Sequence, residues 1–275
     1  MTTSTPLTGQ GAGRRRWLAA TGAGLAGAAL PAAHAQTSSP AAPALTAPTT
    51  EGPYCLADPP ERADITEGLP GIPLELQLSV ADTAGRPLAG LPVDVWHCDA
   101  QGLYSGFAGQ GADRRADATG RQFLRGRQRS DAGGRVRFRT VYPGWYQGRT
   151  THIHLKVWSG ARQLLTTQFF LPDALSEFLY TQLPAYRRTQ LRDVLNSNDG
   201  IALEAGDTVI GAVREAQGRY LASLALVVDP ARDALPDRPP APPAGGSGGR
   251  PPPPGRRAAL EGEARIAALV PGARR

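Results

Sequence analysis

Apolar and polar residues alternate with a period of two through much of the middle of the chain. Leu74, Leu76, Leu78 and Val80 are separated by Glu75, Gln77 and Ser79, which predicts a strand with one buried face. A turn-rich run follows over 82–90, and Val93, Val95 and His97 then alternate again. Val136, Phe138 and Thr140 interleave with Arg135, Arg137 and Arg139, a strand whose arginine stripe is read as a solvated face. His152 to Trp158 and Leu164 to Leu171 predict two more strands. Thr208 to Val213 and Tyr220 to Val228 predict a hairpin turning near Gln217-Gly218. One helical region interrupts: Asp173 is placed to cap Ala174 to Thr181, and Ala185 to Leu195 continues beyond Pro184. Short strands at this spacing predict a mainly β fold, an antiparallel β-sandwich with a short helical insertion.

The ends read differently. Arg14, Arg15 and Arg16 precede Trp17, Leu18 and a small apolar run, and Ala33-His34-Ala35 fits a small-x-small cleavage site. That order is the order of a signal peptide, and the adjacent arginines look like a twin-arginine export signal. The expected location is therefore periplasmic or extracellular. The apolar run is too short and weak for a stable membrane anchor. Residues 36–50 read as a linker, 51–228 as the folded domain, and 229–275, with its repeated prolines, as a disordered tail. Within that tail Ala258 to Val270 reads as a short helix.

The formal net charge of +6 suggests nucleic acid until it is placed along the chain. Residues 1–35 carry +3 and 229–275 carry +3, which leaves 36–228 close to neutral. A neutral domain lacks the basic face of a nucleic-acid binder. Two cysteines exclude a disulfide scaffold and a cysteine-based zinc finger. Cys55 and Cys98 are left open between a disulfide and two free thiols.

Downstream of the leader the histidines are His97, His152 and His154. On a strand, positions i and i+2 share a face, so His152 and His154 project together while Ile153, Leu155 and Val157 line the other side. Neutral imidazole is a common metal ligand. His97 shares a face with Val93 and Val95 and is read as a satisfied core histidine. Tyr104, Tyr142 and Tyr146 are the nearby phenols, with Tyr142 ranked last as a ligand. Trp145 is a pocket wall or plain packing, Tyr54 lines the pocket mouth or packs, and Arg149 is a site residue or a surface charge. A copper or zinc protein using the two histidines, and a metal-free β-sandwich binding module, remain alternatives on these residues alone.

Several motifs together carry a family likeness. They are Glu51-Gly52-Pro53-Tyr54, Arg62-Ala63-Asp64-Ile65, Trp96-His97-Cys98-Asp99-Ala100, Gly102-Leu103-Tyr104-Ser105 and Phe123-Leu124-Arg125-Gly126. Pro143-Gly144-Trp145-Tyr146 and Arg149-Thr150-Thr151-His152-Ile153-His154 complete the set. From Glu51 to Val228 the chain resembles the intradiol ring-cleavage dioxygenases, and most of all their exported bacterial branch. The resemblance implies one ferric ion per chain, held by Tyr104, Tyr146, His152 and His154. It implies that Tyr146 leaves the iron when substrate binds, that Arg149 stands beside the substrate, and that Gln168 is a supporting polar group. The implied substrates are a small aromatic diol and O2, and the implied product is a cis,cis-muconic-type diacid. No nucleic acid is expected as a partner, and a homo-oligomer is allowed. The step from Tyr146 to His152 is shorter than in the best-known protocatechuate enzymes, so their substrate pocket does not carry over.

Overall fold

The computed structural model describes residues 42–111, 113–232, 234 and 258–270. The expected twin-arginine signal peptide and its expected cleavage site lie outside the described residues. Two four-stranded sheets face each other as a β-sandwich. In one, β1 (Pro73–Ala81) runs between β4 (Arg135–Val141) and β8 (Arg219–Val227), and β7 (Ala212–Ala216) forms the edge beyond β8. In the other, the order is β3 (Arg125–Arg129), β2 (Pro92–Trp96), β5 (His152–Ser159) and β6 (Arg162–Phe170).

The alternation read in β1 is the alternation that packs. Leu74, Leu76, Leu78 and Val80 are buried and meet Val136 and Phe138 of β4 and Ala222, Leu224 and Leu226 of β8. Val93, Val95, Ile153, Leu155, Val157 and Phe169 come from the opposite sheet to the same core. Each fully buried Leu, Val or Phe contributes roughly 1.5–3 kcal/mol, so this interface carries the domain. One pairing departs from the antiparallel expectation: β1 and β8 run parallel, with Leu76 beside Ala222 and Leu78 beside Leu224. A parallel neighbour needs a long crossover, and here the whole second sheet lies within it.

Other differences have local causes. No apolar alternation marks β3, Arg-Gly-Arg-Gln-Arg. Its inward position is Gly126, where a Cβ would sit 2.6 Å from Ile65 Cγ2; the space is filled from elsewhere. The helix α1 (Asp173–Gln182) forms, but Asp173 does not cap it. Its carboxylate instead takes Arg192 Nη1 at 2.7 Å and Asn196 N at 2.8 Å. Residues 185–195 are irregular rather than helical. There Tyr186 Oη donates to Tyr142 O and accepts from Ile72 N, both at 2.8 Å, and Arg192 is buried. Thr208 and Val209 belong to a 3₁₀ turn, Gly206–Val209, so β7 starts later than expected. A short helix, α2 (Gly200–Ala205), precedes that turn.

The two flanks are also corrected. The linker's described end is stitched into the fold. Thr46 N donates to Val227 O at 3.0 Å, and Thr49 N donates to Thr166 O at 2.9 Å. Within the tail expected to be disordered, α3 (Gly262–Leu269) forms inside the anticipated run. Its Arg265 is buried and grips Glu177 of α1 through Nε and Nη2, at 2.8 and 2.7 Å. The reason is chemical rather than hydrophobic: one bidentate ion pair seats the helix. Among the described residues no helix is long and apolar enough to cross a membrane.

Candidate active site

The core faces of β2 and β5 look into the sandwich, yet both strands are buried on their outer faces as well. Loops and the segment around Tyr54 cover that outer side. His152 and His154 point into this second, aromatic cluster with Trp96, Tyr104, Tyr54 and Tyr146. His154 stacks on Trp96 at 4.8 Å and 7°, its cross-strand neighbour.

His152 Nδ1 donates to Thr150 O at 2.6 Å. A carbonyl only accepts, so the proton sits on Nδ1 and the lone pair of Nε2 faces inward. Three other atoms converge on it: His154 Nε2 at 3.1 Å, Tyr146 Oη at 3.2 Å and Tyr104 Oη at 3.3 Å. One lone pair serves one strong hydrogen bond, so hydrogen bonding alone does not account for three neighbours. Donor separations near 3 Å are those set by bonds of about 2.0–2.2 Å to a shared cation. Among the described residues no group of three or more His, Cys, Asp or Glu could hold a metal. Any centre here needs the two tyrosine oxygens.

The electrostatics fit that reading. Burial, followed by the Arg149 charge, lowers His152 to about 3. Burial, then His152, holds His154 well below the usual imidazole range. Both are neutral and free to act as ligands. Burial pushes the phenols of Tyr104 and Tyr146 up, with Arg149 pulling Tyr146 the other way. They ionise only if a strong positive charge arrives to share the pocket. Phenolate is a hard oxygen donor, suited to a hard, highly charged ion.

Two loops deliver the tyrosines and lock to each other. Gln110 clasps Tyr104 on both sides, accepting from its N–H at 2.7 Å and donating to its C=O at 2.6 Å. Gly144 lies so close to the other loop that a Cβ would fall 2.4 Å from Ala100 O and 2.6 Å from Asp99 O. Gly102, at φ +84°, approaches Trp145 O in the same way. Tyr104 is fully buried, whereas Tyr146 is partly exposed beside the solvent-facing Gln147 and Gly148.

Arg149 is not a surface charge. Its Nε donates to Asp199 Oδ2 at 2.8 Å and its Nη2 to Gln168 Oε1 at 2.6 Å. Burial works against its charge, but Tyr146 and Asp199 raise its pKa overall. Gln168 sits across from His154 on β6 and donates to Thr50 O at 2.8 Å. Tyr54 stacks on Tyr104 at 4.4 Å and 13°, so it belongs to the site wall. Tyr142 does not approach the site; its hydroxyl lies 2.8 Å from Ser176 Oγ. His97 is a satisfied core histidine, with Cys98 O at 2.8 Å and Thr140 Oγ1 at 2.7 Å. Trp145 is buried, with the Arg188 guanidinium 4.5 Å over its ring. Cys55 and Cys98 are free thiols.

A family model described as dioxygenase matches residues 51–181. The dioxygenase domain of a dioxygenase–carbohydrate-binding fusion from Streptomyces sp. SirexAA-E is 30% identical. The alignment covers 68% of this chain and 99% of that one, with a TM-score of 0.50. The chain belongs to the intradiol ring-cleavage dioxygenases. An intradiol ring-cleavage dioxygenase from Tetranychus urticae superposes with a TM-score of 0.63 at 28% identity, over 70% of this chain and 97% of that structure. Catechol 1,2-dioxygenase 1 of Acinetobacter lwoffii is 30% identical over 184 residues, 56% of this chain and 55% of that protein. The chain thus spans a little over half the length of the curated intradiol relatives it matches.

Two residues of this candidate site escape a reading of the sequence. Asp199 is marked only as a helix start, by Asn198-Asp199-Gly200, and nothing in its spacing ties it to Arg149. Gln110 lies in a polar, glycine-rich loop that carries no periodic signal.

Proposed function

We propose that this protein opens the ring of a catechol between its two hydroxyl-bearing carbons, using dioxygen and one ferric ion per chain. The observation that carries this reading is the convergence of Tyr104 Oη, Tyr146 Oη and His154 Nε2 on His152 Nε2. Those four atoms are the proposed iron ligands. Bound there, ferric iron would supply a Lewis-acidic centre that takes both catechol oxygens and makes the ring reactive toward dioxygen. The product is a cis,cis-muconic-type diacid; both oxygen atoms enter it, so no further reductant is needed.

The chain's own residues divide the remaining work. Tyr104 is the static ligand, clasped by Gln110. Tyr146 is the mobile one, partly exposed, and its Oη takes one of the two catechol protons. Arg149, held by Asp199 and Gln168, offers its guanidinium to negative charge that develops on substrate oxygen. Tyr54, Trp96 and Phe107 wall the site with rings, which limits water beside the reacting carbons. A copper or zinc site on His152 and His154 alone would leave two phenols, one buried and one partly exposed, within 3.3 Å without a role.

Iron analysis combined with oxygen uptake on a panel of catechols tests the proposal. The expected outcome is one iron per chain, a red-brown protein, and one dioxygen consumed per ring-opened diacid formed. Full activity in an iron-free preparation, or no uptake with any catechol in an iron-loaded one, would overturn it.

A further inference from the structure

Asp199 is buried at 2% exposure, and its carboxylate accepts four hydrogen bonds. Oδ1 takes Ile201 N at 2.9 Å and Ala202 N at 3.1 Å, closing the first turn of α2. Oδ2 takes Arg149 Nε at 2.8 Å and Thr150 N at 3.0 Å. Four is about the capacity of an ionised carboxylate, so no acceptor position is spare.

The two oxygens do different work. Oδ1 makes the ordinary helix-capping bonds. Oδ2 joins two consecutive residues that reach the site by different routes. Arg149 reaches it through its side chain, whose Nη2 is held by Gln168 Oε1 at 2.6 Å. Gripped at Nε and Nη2, the guanidinium plane is fixed, and Nη1 is the nitrogen with no hydrogen bond to the described residues. Thr150 reaches the site through its carbonyl, which accepts from His152 Nδ1 at 2.6 Å and sets which imidazole nitrogen carries the lone pair.

We propose that Asp199 is the positioning residue of this site, aiming Arg149 Nη1 at substrate oxygen and holding Thr150 where its carbonyl orients His152. This rests on the reading of Arg149 and His152 given under Proposed function. The physical ground is that a long side chain loses several rotatable torsions when it is aimed. A buried guanidinium without a carboxylate also carries a large desolvation cost. Asp199 offsets the second and thereby enforces the first. The Nη1 left over then acts as one directed hydrogen-bond donor, not as a mobile charge.

Asp199→Asn isolates the role. Asparagine is a good helix cap, so the bonds of Oδ1 survive. An amide NH2 in place of Oδ2 sets a donor against two donors. The test is a double-mutant cycle on iron-loaded, full-length protein: parent, Asp199→Asn, Arg149→Ala and the double variant. Asp199→Asn is expected to lower kcat by the order of ~10²–10³ seen on losing one electrostatic donor. KM for catechol should move only a few-fold, and the resting visible band should remain. The double variant should lose far less than the product of the two single losses, since the Arg149 route is already gone and only the Thr150 route is left for Asp199 to act through. Losses that multiply in the double variant, or parent-like turnover of Asp199→Asn, overturn the proposal.

A second measurement needs neither a variant nor turnover. In the full-length parent before iron loading, Arg149 Nε–H and the Thr150 amide should exchange slowly with solvent. Fast exchange of either overturns the proposal, including the case where Asp199→Asn fails to fold. If the parent turns over no catechol, the functional reading fails by itself, and exchange still judges the clamp.

Discussion

Thr150 and His152, two residues apart on one chain, are joined by a 2.6 Å hydrogen bond from imidazole Nδ1 to backbone carbonyl. A side chain thereby has its proton placed by the loop that leads into its own strand. The lone pair is left where Tyr104, Tyr146 and His154 meet, so the tautomer that a metal ligand requires is set by the fold itself.

Tyr104 and Tyr142 are both fully buried phenols, and they should behave oppositely. Tyr104→Phe removes an oxygen from the convergent set and should abolish the visible iron band and turnover. Tyr142→Phe removes only the partner of Ser176 Oγ and should cost about 1 kcal/mol of stability with iron retained. Iron content and urea unfolding of the two variants check this. Loss of the band in Tyr142→Phe alone would reverse the assignment.

His97 should make the domain sensitive to mild acid. Burial, offset in part by Cys98 O, lowers it from about 6.5 to about 4. In the unfolded chain it takes a proton near 6.5; in the folded chain it resists until about 4. The unfolded state therefore binds more protons between those values, and stability falls as pH falls through that window. Its contribution is fully present above about pH 6.5 and amounts to about 3 kcal/mol lost by pH 4. Unfolding midpoints from pH 7 to pH 4, compared with His97→Gln, should show a shallower slope in the variant.

Gly144→Ala should be among the most damaging small substitutions. Its methyl would meet two backbone oxygens, Ala100 O and Asp99 O, neither of which can rotate away. A cost of about 3 kcal/mol or more is expected, together with loss of iron, because the Tyr104 and Tyr146 loops separate. Gly160→Ala, with nothing within 4 Å, should cost about 1–2 kcal/mol for its backbone conformation and keep the metal. Equal effects would mean that the loop contact is unimportant.

Arg265→Ala should lower stability by roughly 1–3 kcal/mol, since Glu177 is left partly buried with one guanidinium fewer. Turnover should stay within a few-fold, because Arg265 bonds to Glu177 of α1 and to the carbonyls of Arg192 and Leu260, none of them a residue of the site. Thermal melting and steady-state kinetics separate the two effects. An unchanged melting point would place α3 outside the folded unit.

The sheets were readable wherever burial is one-sided. Leu74 to Val80 alternates because one face of β1 meets the core, and His152-Ile153-His154 splits the two proposed ligands from the core by the same period. β3 was unreadable because its inward position is a glycine and its arginines serve Ser105 and Asp94. The Asp173 cap failed because Arg192 and the Asn196 amide compete for the same carboxylate. The proposed ligand tyrosines are marked by motif likeness alone, since a loop phenol has no periodic signature. Asp199 was hidden because it meets Arg149 across fifty positions of chain, a proximity that only the crossover from β6 to β7 creates.

The parallel seam between β1 and β8 also sets an order on synthesis. The sheet that carries His152 and His154 uses strands between positions 92 and 170, and all four proposed donor residues lie between 104 and 154. A nascent chain emerging from the ribosome owns that sheet early. The opposite sheet waits, because Leu74 gains its neighbour Tyr220 only when the far end of the domain appears. Until then β1 has β4 alone and keeps an open hydrogen-bonding edge, the kind of surface that invites pairing with another chain. A message truncated ahead of residue 219 would therefore yield a polypeptide with all four proposed donors in place, β8 missing and β7 left without its partner, prone to aggregate before it can be useful.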